Sequence, residues 1–179
     1  MAQKSMKSMK KTQSSRGRQT AGKSRSSSRG KGDNALFELL KQDHEKVKDL
    51  FEEIEDGEME AQEDLFSQIQ EELEMHMEGE EKFFYPALEE SEDSKEKVLE
   101  AYEEHHVTKT VLGEFGGMAQ DDERWKAKVK VLKELVEHHV EEEEKEIFKM
   151  AKKALDKEQI QEIARQIQEQ KGESAEMSP

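Results

Sequence analysis

Two stretches of the chain carry the same residue types in the same order. Residues 76–86 read HMEGEEKFFYP and residues 139–148 read HVEEEEKEIF. In each, a histidine is followed four residues later by a glutamate, then by a second acid and a lysine, and an aromatic stands nine residues after the histidine. Residues four apart share a face of an α-helix. His76 with Glu80, and His139 with Glu143, therefore form stacked pairs. Two more histidines sit on apolar stripes. His44 lies between Leu40 and Val47, and His105 lies seven residues from both Val98 and Leu112. Imidazole and carboxylate are metal ligands. The chain has no cysteine, which excludes disulfides, thiolate ligation and a cysteine nucleophile.

One inward histidine is more often a hydrogen-bonded core residue than a ligand, and an EEEEKE run is usually a solvated face. Four inward histidines and two inward glutamates are different. Unpaired buried imidazoles and carboxylates cost on the order of several kcal/mol each, and bound cations offset that cost. His44 and His105 are 61 residues apart, and His76 and His139 are 63 apart. The chain thus reads as two copies of one unit, each supplying two histidines and one glutamate. That arrangement suits a pair of metal ions, each with two imidazoles, bridged by both glutamates. Positions remain for an oxygen bridge and a small molecule. The donor set suits iron, with zinc or manganese as alternatives.

Long helices must position these residues. Between Ala35 and Gly172 the one proline is Pro86, and Glu, Lys, Leu, Gln and Ala dominate, all good helix formers. Asn34 is a candidate N-cap. Leu36, Phe37, Leu40, His44, Val47, Phe51 and Ile54 follow at helical spacing up to Asp56-Gly57. A second helix carries Leu65 through Phe84, and Pro86 lies near its end. A third starts at Ser91 or Ser94 and stops at Gly116-Gly117. A fourth opens at Asp121 or Asp122 and carries Trp125 through Met150. Four helices with short links predict an all-α, antiparallel up-down four-helix bundle. A short extra helix is expected from about Asp156, with the domain ending near residue 171 and residues 172–179 frayed. Within HMEGEEKFFYP, Glu78, Glu81 and Lys82 are expected in solvent and Phe83 and Phe84 in the core, with Tyr85-Pro86 closing the helix.

The net charge of −15 is unevenly spread. Residues 1–34 carry ten Lys/Arg and one acid, whereas residues 35–179 carry nineteen Lys/Arg and forty-three acids. The first segment is Ser-, Lys-, Arg- and Gly-rich and cannot bury enough surface to offset its ordering entropy. It is expected to be a disordered tail, either solubilising or an arm for nucleic acid or another polyanion. It lacks the apolar region of a secretory signal, and no run approaches the roughly 20 apolar residues of a membrane helix. The expected location is cytoplasmic.

DHEKVKDLF (43–51), HMEGEEKFFYP (76–86), EEHHVTKTVL (103–112) and HHVEEEEKEIF (138–148) occur in this order and spacing. Together they resemble the hemerythrin-like, or HHE cation-binding, family over about residues 35–170. The resemblance implies an antiparallel bundle around a non-haem di-iron centre. It implies His44, His76, Glu80, His105, His139 and Glu143 as ligands, with the two glutamates bridging. His106 in place of His105, and His138 in place of His139, remain alternatives at this point. Oxygen-carrying hemerythrins resemble H-x-x-x-H on the third helix, where this chain has Lys109. Their fourth-helix carboxylate is an aspartate five residues after the histidine. Here Glu143 lies at four and Glu144 at five. With one imidazole missing, the expected function moves from oxygen carriage toward binding or sensing dioxygen, nitric oxide or peroxide. The alternatives are an enzyme that reduces peroxide or repairs iron–sulfur clusters, with Tyr85 or Tyr102 as electron shuttles, and a nucleic-acid-associated protein acting through its tail.

Overall fold

The computed structural model describes residues 34–56, 59–119 and 121–177. The expectations of a disordered tail and a polyanion-binding arm fall on residues outside that set, apart from Asn34, and so does the expected stop at Gly57. Among the described residues there are only helices and turns. The order is α1 (Ala35–Asp56), α2 (Met59–Gly79), a π-helical turn (Glu80–Phe84), α3 (Tyr85–Glu89), α4 (Glu92–Gly113), α5 (Trp125–Glu142), a second π-helical turn (Glu143–Ile147), α6 (Phe148–Ala154) and α7 (Lys157–Met177). α1 packs on α2, α4 packs on α5, and α7 packs on α1 and α2.

Helix starts follow local chemistry. Ser91 stands in extended conformation before α4, and the Ser94 hydroxyl donates to the Leu88 carbonyl at 2.6 Å. Asp122 sits in the turn before α5, accepting from the Arg124 amide at 2.8 Å. Before α7, Asp156 Oδ1 accepts from the Gln159 amide and Gln159 Oε1 accepts from the Asp156 amide, at 2.8 and 2.9 Å. That reciprocal pair is a capping box. α7 is not the short helix expected. It has 21 residues and continues through Gly172 to Met177. A glycine inside a helix costs only about 1 kcal/mol, so Lys171-Gly172 is no stop where neighbours favour helix.

The core has two apolar layers. Leu36, Leu40, Phe84, Tyr85, Val98, Ala101, Ile147 and Phe148 belong to one, with Ile160, Ile163 and Ile167 of α7. Val47, Phe51, Ile69, Leu73, Met77, Leu112, Leu132 and Val136 belong to the other. Each histidine stripe crosses from one layer to the other. His44 follows Leu40 and precedes Val47, for example, so the four imidazoles form a buried polar layer between the two apolar ones.

Candidate metal centre

All six expected residues converge. His44, His76, His105 and His139 are between 1% and 7% exposed, and Glu80 and Glu143 are 0% exposed. Ligand atoms of His44, His76, Glu80 and Glu143 lie within 4.8 Å of one another, and so do those of Glu80, His105 and His139. His44 Nε2 is 3.1 Å from Glu143 Oε2, His76 Nε2 is 3.2 Å from Glu80 Oε2, and His105 Nε2 is 3.4 Å from Glu80 Oε2. His105 Nε2 and His139 Nε2 are 3.1 Å apart. The alternatives His106 and His138 point outward. His106 is exposed, and the His138 side chain is 64% exposed beside Glu104 and Glu142.

Each imidazole is oriented from behind by a carboxylate. His44 Nδ1–H donates to Glu144 at 2.9 Å, His76 to Asp43 at 3.2 Å, His105 to Glu81 at 3.0 Å and His139 to Glu104 at 2.7 Å. An Nδ1–H donated outward leaves the Nε2 lone pair facing the centre. The outer carboxylates repeat as the inner residues do. An acid directly precedes His44 and His105, and an acid directly follows Glu80 and Glu143. Glu81 is therefore not the solvated residue expected. Its His105 hydrogen bond, with help from Lys109, lowers its pKa. The His139 hydrogen bond lowers Glu104. Burial works against ionisation of Glu144 and Asp43, yet His44 with Lys41, and His76 with Lys171, outweigh it and both are lowered. Lys109 binds both Glu81 oxygens, at 2.6 and 2.7 Å, so it serves the outer ring and does not reach the centre.

The two π-helical turns begin at the two inner glutamates, and periodicity did not anticipate them. Nine residues of ideal α-helix would put Tyr85 about 180° around from His76. A π-turn absorbs one extra residue and brings it back to roughly 80°. Tyr85 accordingly does not simply close the helix. It is 0% exposed, and its hydroxyl donates to Glu80 Oε2 at 3.3 Å, 3.4 Å from His105 Nε2 and 3.5 Å from His139 Nε2. In the other half the corresponding residue is Phe148, stacked on His44 with centroids 6.3 Å apart. The aromatic at the ninth position of both motifs was the available signal. Phe84 is core and Phe83 only partly buried, as neighbours on a helix face different directions.

Several buried inner atoms have no hydrogen-bond partner: Nε2 of His44 and His76, Oε1 of Glu80 and both carboxylate oxygens of Glu143. Burial, together with the neighbouring Glu80 charge, pushes the Glu143 carboxyl well up. Burial also opposes ionisation of Glu80, but His76 and His105 hold it well down. Burial lowers His139, whereas for His105 the contacts to Glu80 and Glu81 overcome burial and raise it. Burial and the two inner carboxylates push the Tyr85 phenol up, so it remains a donor. Orphaned ligand atoms around two facing carboxylates fit bound cations, which would take up those lone pairs and cancel the repulsion. A cavity of about 20 Å³ adjoins the imidazoles, walled by Val47, Leu73, Met77, Thr108 and Val136.

Residues 35–151 match the family described as the hemerythrin HHE cation binding domain. The chain belongs to that family. A hemerythrin HHE cation binding domain-containing protein from Mycobacterium kansasii is 22% identical, with a TM-score of 0.64 over 78% of this chain and 88% of that one. At that identity the likeness shows the fold. A protein of Nostoc sp. (strain PCC 7120 / SAG 25.82 / UTEX 2576) named DNA nickase is 28% identical over 135 residues, 75% of this chain. The match spans 38% of that relative's length. The HHE match stops before α7, and no helix among the described residues is long and apolar enough to cross a membrane.

Proposed function

We propose that this HHE-family chain is a cytoplasmic non-haem di-iron protein that binds or senses dioxygen, nitric oxide or peroxide. Its fold on this reading is an antiparallel up-down four-helix bundle. His44 and His76 would hold one ion and His105 and His139 the other, with the carboxylates of Glu80 and Glu143 serving as the shared anionic ligands. The observation that carries the reading is the set of orphaned, fully buried ligand atoms on His44, His76, Glu80 and Glu143, with His105 and His139 converging on Glu80.

Iron, when bound, supplies electrons and an open coordination position. The chain's own residues do the rest. Asp43, Glu81, Glu104 and Glu144 keep the four Nε2 atoms aimed inward. Tyr85 offers its hydroxyl proton on the His105/His139 side, where an oxygen atom of a small ligand would accept it. Val47, Leu73, Met77 and Val136 close the cavity beside the imidazoles. A cavity of about 20 Å³ is close to the size of one small molecule, which favours diatomic ligands and peroxide over larger substrates. Lys109, committed to Glu81, supplies no further imidazole, which supports exchange or redox turnover over oxygen carriage.

The test is spectroscopic. Iron-loaded protein should change its near-ultraviolet and visible absorption on adding dioxygen, nitric oxide or peroxide, and Glu80→Ala should abolish the change. Spectra insensitive to all three would refute the reading. Peroxide turnover above that of free iron would move it to the enzymatic alternative. A second reading, an arm on nucleic acid, is supported by the +9 charge of residues 1–34. It predicts salt-dependent DNA binding that is lost when those residues are deleted, and equal affinity without them would exclude it.

A further inference from the structure

The family match ends at residue 151, but α7 brings the chain back to the site. Its apolar face, Ile160, Ile163, Ala164 and Ile167, is buried in the same layer as Leu36 and Leu40. Two contacts then reach the centre. Ile167 packs on Gly79, the residue before Glu80, so closely that a Cβ there would lie 3.3 Å from Ile167 Cγ2. One helical turn later, the Lys171 ammonium donates to Asp43 Oδ1. The other oxygen of the same carboxylate accepts from His76 Nδ1 at 3.2 Å. The Asp43 side chain is 10% exposed and that of Lys171 20%. The opposite half is built differently. Glu104, the counterpart of Asp43, faces His138 at 3.6 Å, on the same helix as His139.

The geometry points to Lys171 as a positioning residue for the His44/His76 half of the centre, with α7 as a working part of that half alone. The inference rests on the metal reading above. Asp43 has two oxygens, and each has a fixed task. Lys171 anchors one, so the other stays aimed at His76 Nδ1 and the His76 Nε2 lone pair stays aimed inward. Without the ammonium the carboxylate can rotate, and the imidazole loses the partner that sets its tautomer and tilt. Loss of a carboxylate behind a ligating histidine typically weakens metal binding about 10–100-fold. Lys171 acts one step further out, so its removal should fall near the lower bound, about tenfold. Coupling is reciprocal: if docked α7 favours the ion, the ion favours docked α7.

The experiment uses the full chain and zinc(II), titrated against a chromogenic chelator. Lys171→Met and Lys171→Arg are compared in three backgrounds: wild type, His76→Ala and His139→Ala. Lys171→Met should weaken one of two ions about tenfold. The effect should persist in His139→Ala, which keeps the affected half, and vanish in His76→Ala, which has lost it. Lys171→Arg should restore binding, which a loss of packing alone would not allow. Amide hydrogen exchange in residues 160–171 should slow on zinc loading in wild type and not in Lys171→Met. Two ions bound with wild-type affinity by Lys171→Met, or equal weakening in both histidine backgrounds, would overturn the role of Lys171 and leave the metal reading intact. Failure of the wild-type chain to bind zinc or iron would overturn both.

Discussion

Tyr85→Phe removes one oxygen atom from the centre and nothing else. The ring stays, so no cavity opens in a residue that is 0% exposed. The substitution makes the His105/His139 half resemble the other half, where Phe148 stands. What is lost is a hydroxyl 3.3 Å from Glu80 Oε2. Hydrogen bonds to a charged group contribute about 1.5–3 kcal/mol net, and 3.3 Å is long for O–H···O, so the lower bound of about 1.5 kcal/mol applies. Each kcal/mol lowers the midpoint of a domain this size by about 2–4 °C, so the metal-free variant should melt about 3–6 °C below wild type. In the loaded protein the phenol would act on one half only, through its hydrogen bond to Glu80 beside His105 and His139. Chelator competition should therefore show one ion weakened about tenfold, the equivalent of about 1.4 kcal/mol, and the other unchanged. Tyr85→Phe with wild-type melting and two wild-type affinities would show that the hydroxyl is a bystander and would refute the asymmetry assigned to the two halves.

Other predictions follow from packing and charge. Gly79→Ala places a Cβ 3.3 Å from Ile167 Cγ2. Overpacking of about 1–3 kcal/mol should outweigh the gain of up to about 1 kcal/mol in helix propensity, and Ile167→Val in the same chain should recover the loss in chemical denaturation. In the metal-free protein the Glu143 pKa is raised by burial and by Glu80. A carboxyl raised in the folded state binds extra protons there. Its stabilising contribution is complete below the unfolded pKa of about 4.3 and is lost as pH rises through the folded value. Glu143→Gln should therefore flatten the fall of metal-free stability with rising pH, measured by urea unfolding, while abolishing tight binding of the ion at His44 and His76. Metal affinity should have the opposite trend and fall with acid, because protons compete for the imidazoles and for Glu143.

Much of the centre was legible because helical periodicity and ligand chemistry agree. His44, His76, His105 and His139 each interrupt an apolar stripe, and the i, i+4 glutamates share their face. The outer ring was harder to read. Asp43, Glu81, Glu104 and Glu144 look like ordinary surface acids in a chain with forty-four of them, and only their equal offsets in the two halves mark them out. The π-turns were hidden because five residues of π-helix and five of α-helix have similar compositions. Their trace is Tyr85 and Phe148, aromatics at a spacing that an ideal helix would turn away from the histidines. Lys171 was beyond reach for another reason. It lies 128 positions from Asp43, and no local pattern links them.

The central claim is a pair of ions held by six residues, and elemental analysis of the full chain after aerobic iron loading tests it most directly. Two irons per chain are predicted, with an oxo-to-iron band in the near ultraviolet, falling to about one in His76→Ala or His139→Ala and to none when both are replaced. Less than one iron per chain and no such band in wild type, or a wild-type content that survives both substitutions, would contradict the account.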